Sequence, residues 1–154
     1  MTDLGQAIRP TKTLYIDIDG VLLGRKSLAD LETGLANGAE RFLKVAVENY
    51  DCYWLTSHCK NGNARDAIDR LRPYANKRVL KLAEQIKPTS WHDRKTNAID
   101  FSKDFLWVED NLFESEKAIL AENGCLDKLI EIDTRERPDD LLRATEIIKS
   151  TSKV

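Results

Sequence analysis

Short apolar runs alternate along this chain with segments of helical spacing, and that alternation limits the fold more than any other feature. "TLYIDI" (13–18), "CYWLTS" (52–57), "FLWVED" (105–110) and "KLIEID" (128–133) read as buried strands. "RVLKLA" (78–83) reads as a short strand or, on nearly equal grounds, as a helix. Between them, 37–50 has charges set among Phe42, Leu43, Val45, Ala46 and Val47, as in an amphipathic helix. Residues 64–71 have helical spacing that Pro73 ends, 94–101 looks helical, and 115–124 is a helix closed by Gly124. Pro138 opens a last helix. Strands and helices in this order predict an α/β fold, with a mostly parallel five-stranded sheet and helices on both faces, because crossovers are right-handed.

Size and charge narrow the classes. A chain of 154 residues most simply forms one domain, with the core spanning about 12–150. The net charge of −2 supplies no global basic field for nucleic acid, so that partner is not favoured unless a local patch serves. Cys52, Cys59 and Cys125 lack metal-type spacing and read as free thiols of a reducing compartment. "MTDLGQAIRP" has no apolar core of signal-peptide length, and no run is long enough to cross a membrane. The expectation is a cytoplasmic protein with no membrane partner, monomeric or homodimeric.

In a parallel sheet, ligands bind outside the carboxyl ends of the strands. There the sequence places Asp17 and Asp19 after the first strand, Thr56 and Ser57 after the second, and Glu109 and Asp110 after the fourth. Asp17 and Asp19 face the same way if the strand stays extended. Two carboxylates that close repel unless a cation or a shared proton compensates, so the pair is either a solvated strand end or a site.

"YIDIDGVL", "YWLTS", Lys95 ahead of a strand, and "FLWVEDN" resemble, in order, the four motifs of the haloacid dehalogenase-like superfamily, whose commonest members are magnesium-dependent phosphatases. The match covers roughly 13–135. It implies a three-layer Rossmann-like core in which Asp17 attacks phosphorus to form an aspartyl-phosphate, dividing one hard displacement into two easier ones. Asp19 would be the acid–base, and Gly20 would turn the chain out of the strand beside the phosphate site. Mg²⁺ would be held by the Asp17 carboxylate, the Asp19 main-chain carbonyl and an acid of "VEDN", with Asp110 favoured and Glu109 second. Lys95, preferred over Lys87 and Arg94, would draw nucleophile and phosphoryl group together. Thr56, or Ser57 in its place, would donate to the phosphoryl oxygens. Glu109 stands where the family more often has aspartate.

Neither gap between the motifs has room for a folded cap, so the chain resembles the capless branch, with a short flap around Leu23 to Gly34. The implied function is a magnesium-dependent phosphomonoesterase for a phosphorylated small molecule or macromolecular end. The alternatives are a catalytically impaired binding module of the same fold, and a phosphatase of nucleic-acid ends. Dehalogenation is disfavoured by the retained Asp19. His58 and His92 read as surface or hydrogen-bonded residues, Trp54 and Trp107 as core, and Trp91 as the one tryptophan that could face a substrate. The basic stretch 70–78 reads as a solvated helix end.

Overall fold

A computed structural model describes residues 12–152. The N-terminal stretch, expected to lack a signal-like core, lies outside them. Four parallel strands form the main sheet: β1 (Thr13–Ile16), β4 (Asp51–Trp54), β5 (Phe105–Glu109) and β6 (Leu129–Glu131), in the order β4-β1-β5-β6. Two residue pairs, β2 (Leu23–Gly24) and β3 (Gly34–Leu35), make a separate antiparallel ribbon. The loop between them, 26–33, is exposed and falls within the stretch expected to form a flap. The helices are α1 (Ala39–Asn49), α2 (Ala64–Leu71), α3 (Lys77–Ala83), α4 (Glu114–Glu122) and α5 (Asp140–Thr151).

Side-chain alternation on β1 divides the core. Leu14 and Ile16 join one cluster with Phe42, Leu43 and Ala46 of α1, Val79 and Ala83 of α3, and Leu141, Ala144 and Ile148 of α5. Tyr15 joins another with Phe105, Trp107 and Leu120. The central strand therefore buries every residue, as a parallel strand packed on both sides should. Trp54 and Trp107 are fully buried, and Trp91 packs at the margin of the second cluster with the Lys60 ammonium over its ring.

Two expectations are corrected. Residues 78–83 belong to helix α3 rather than to a strand: Asn76 Oδ1 accepts from Val79 N at 2.9 Å and caps the first turn, and Val79 and Ala83 bury one face at helical spacing. Among the described residues the sheet accordingly has four strands rather than five. Beyond β4 a single parallel bridge, Tyr53 to Lys87, stands where a fifth strand would lie. Residues 94–101 form only a short 3-10 turn, Lys95–Ala98.

Candidate active site

The register β1–β5 sets Ile16 opposite Val108, so the residues following each strand emerge together at the carboxyl edge. Asp17 N still donates to Val108 O at 3.2 Å, which carries the pairing one residue beyond β1. The Asp17 carboxylate is buried, and its Oδ1 accepts from Ile18 N at 2.8 Å. After it the chain folds back: Gly20 N donates to Leu23 O and Thr134 N donates to Gly20 O. Gly20 has φ 78°, and a Cβ there would stand 2.1 Å from Asp110 Oδ2. Only glycine permits both the left-handed backbone and the approach of Asp110.

Asp17, Glu109 and Asp110 each offer a carboxylate oxygen within 4.8 Å of the others, the one grouping of this kind among the described residues. Lys95 reaches in from the 3-10 turn, with Nζ 2.6 Å from Glu109 Oε2 and 3.4 Å from Asp17 Oδ2. Burial and the adjacent Asp17 push the Glu109 carboxyl well above its ordinary value, against the pull of Lys95. Asp110 is also raised, by burial first and then by Asp17 and Asp133, against a hydrogen bond with Glu109 and the charge of Arg135 at 3.5 Å. Burial disfavours the charged form of Lys95, but the two carboxylates outweigh it and hold its ammonium above the usual value. One buried ammonium thus serves Asp17 and Glu109, with Arg135 at the outer side of Asp110, and an additional proton or cation would relieve the repulsion among the three acids.

Asp19 lies farther out. Its Oδ1 accepts from Arg70 Nη2 at 2.6 Å and Nε at 3.2 Å, and its Oδ2 is 2.5 Å from His58 Nε2. Arg135 approaches the same carboxylate at 3.8 Å. Burial raises the Asp19 carboxyl, yet Arg70 and His58 together bring it below its ordinary value.

The predicted residues do not all converge. Asp17, Lys95, Glu109 and Asp110 form one cluster, and Asp19 with Gly20 borders it. Thr56 is fully buried and its Oγ1 accepts from His58 N at 3.3 Å, so its hydroxyl oxygen holds the turn that aims His58. Ser57 is exposed. Three partners of Asp19 were not assigned to the site from sequence. His58 was read as an ordinary hydrogen-bonded residue, although it follows Thr56 and Ser57 at the strand end. Arg70 belongs with Arg65, Arg72, Lys77 and Arg78 to the basic residues that a nucleic-acid-end reading would gather near the site; the other four are exposed, whereas Arg70 turns inward onto Asp19. Arg135 carries no local motif at all. His92 is exposed.

No protein-family model matches the chain, and no curated protein does.

Proposed function

We propose that the protein is a phosphomonoester hydrolase of the haloacid dehalogenase type, working through Asp17. The observation that carries this reading is the placement of Asp17. It is a buried carboxylate at the end of a central parallel strand, flanked by Lys95 and by two further acids, with a second aspartate two residues on. The same reading carries the three-layer Rossmann-like arrangement of that superfamily, without a cap. Such a fold offers an open site to a phosphorylated small molecule or a macromolecular end.

The donor set fits a magnesium ion. Hard oxygen ligands from one or two carboxylates plus phosphate and water are what Mg²⁺ prefers, and the shortage of positive charge lies among Asp17, Glu109 and Asp110. Asp17 and Asp110, with Glu109 as the second choice and the Asp19 main-chain carbonyl, would hold it. Bound there, it would neutralise charge on the phosphoryl oxygens.

The remaining work falls to the chain. An Asp17 carboxylate oxygen bonds to phosphorus as the bond from phosphorus to the leaving oxygen breaks. Asp19, which Arg70 and His58 hold ionised in the free protein, takes up a proton from solvent as the phosphate dianion enters beside it and gives that proton to the leaving oxygen. Asp19 then takes a proton from water, whose oxygen bonds to the same phosphorus, releasing phosphate and restoring Asp17. Lys95 offsets the repulsion between the nucleophile and the incoming dianion.

Hydrolysis of an aryl phosphate, with metal removed and then magnesium restored, tests the reading on wild type and Asp17→Asn. Turnover that requires magnesium and vanishes in the variant supports it. A second reading, a phosphate-binding module with impaired catalysis, is favoured by one observation: Lys95 lies closer to Glu109 than to Asp17. It predicts magnesium and phosphate binding without turnover of any ester.

A further inference from the structure

Positive charge is distributed unevenly along the site. Side-chain exposure rises from 7% at Asp17 and 16% at Lys95 through 26% at Asp19 to 33% at Arg70 and 48% at Arg135, which orders these residues from the nucleophile to the mouth. The inner part is short of cations. In the outer part Asp19 meets two permanent guanidiniums and an imidazole, and Arg135 also stands 3.5 Å from Asp110. Both guanidiniums are partly exposed and present donors to solvent at the mouth, which Lys95 does not.

Both guanidiniums stand on fixed backbone. Arg70 belongs to α2, with its guanidinium 5.8 Å from the Tyr74 ring. Arg135 N donates to Asp133 Oδ1 at 3.0 Å, and its carbonyl accepts from Arg25 Nε at 2.6 Å, tying it to the start of the flap. Each guanidinium is a planar fork of donors that matches a phosphate or carboxylate in bidentate fashion.

Resting on the proposed phosphatase reading, in which Asp19 serves the leaving oxygen, we infer that Arg70 and Arg135 form a receptor for a second anionic group carried by the leaving part of the substrate. The substrate class is a phosphomonoester with another phosphate or phosphodiester a few bonds from the leaving oxygen. Arg70 grips Asp19 through two donors on one oxygen, so an anion that takes up Arg70 also frees that carboxylate to turn toward the leaving oxygen. Recognition of the second charge and release of Asp19 are then one event. Lys95 is too far inside, between Asp17 and Glu109, to take this part.

Calorimetric binding to the full chain carrying Asp17→Asn, which in the proposed mechanism cannot consume the ligand, tests the inference independently of turnover. The probes are a nucleoside 3′,5′-bisphosphate, the two corresponding monophosphates and a 3′-phosphorylated dinucleotide. The bisphosphate or the dinucleotide is expected to bind about tenfold more tightly than either monophosphate, the gain of one charge-assisted bidentate contact. Which of the two shows the gain identifies the source of the second charge. Arg70→Gln and Arg135→Gln should each cut that preference severalfold, and Arg135→Lys should restore part of it. Equal affinity for all four probes overturns the inference, as does a preference that both glutamine variants leave unchanged. If Arg70 only positions Asp19, wild-type and Arg70→Gln turnover will differ by the same factor for monophosphate and bisphosphate, which also overturns it. Absence of turnover alongside an intact binding preference would instead count against the phosphatase reading.

Discussion

Lys95 donates to Glu109 across 2.6 Å while keeping Asp17 at 3.4 Å, so one buried ammonium is the inner counter-charge of the candidate nucleophile. Removing one partner of such a group leaves charge buried without compensation, typically at a cost of about 3–5 kcal/mol. Lys95→Met is therefore expected to lower the unfolding free energy by about 3 kcal/mol near neutral pH, somewhat less in acid, where Glu109 takes up a proton. Urea denaturation at two pH values reads both effects. The variant should also lose magnesium-dependent ester hydrolysis.

The raised Glu109 carboxyl has its own signature. A group whose pKa is higher folded than unfolded binds more protons in the folded state, so stability falls as pH rises from the ordinary glutamate range through the folded value. Metal-free protein should accordingly lose stability with increasing pH, and Glu109→Gln should flatten that slope. Magnesium should restore stability at the higher pH, by about 1.4 kcal/mol at ten times its Kd. Thermal unfolding across pH, with and without the ion, gives the result. A slope unchanged in Glu109→Gln would place its origin elsewhere.

Some of this was legible in the sequence for definite reasons. The strands that matter are apolar on both sides and end in polar residues, so Asp17, Glu109 and Asp110 were placed on one edge by the alternation of elements. The 78–83 segment misled because Val79, Leu80, Leu82 and Ala83 fit a strand about as well as a helix, and the deciding group, the Asn76 cap, lies outside the apolar run. The partners of Asp19 were hidden more deeply. Arg70 is separated from Asp19 by 51 residues, and its neighbours in the basic stretch are exposed, so only the rotation of α2 singles it out. Arg135 depends on a turn around Asp133 whose direction no local spacing specifies.

Gly20 offers a test in which one methyl group reports on the acid cluster. Its φ of 78° disfavours any side chain, and a Cβ would collide with the Asp110 carboxylate. Gly20→Ala should cost about 1–2 kcal/mol through the backbone alone. Because the collision displaces Asp110, magnesium affinity measured by calorimetry should fall further than the stability loss explains. Loss of stability with unchanged magnesium affinity would remove Asp110 from the ligand set.

Away from the site, the Tyr50 hydroxyl donates to the Ile148 carbonyl at 2.7 Å and joins the start of β4 to α5. Burial raises its pKa to about 12, with Asp104 and Cys52 adding to the shift. The group holds its proton more firmly when folded, so its stabilising effect is complete below the ordinary tyrosine value near 10 and is lost as pH climbs toward 12. Tyr50→Phe should cost about 1 kcal/mol at neutral pH, the net worth of one buried hydrogen bond. It should also weaken the alkaline loss of stability between those two values, because phenylalanine has no proton to release. Urea denaturation of the pair at neutral pH and again above pH 10 measures both, and a cost that stays constant through the alkaline range would show that the hydroxyl does not titrate with unfolding.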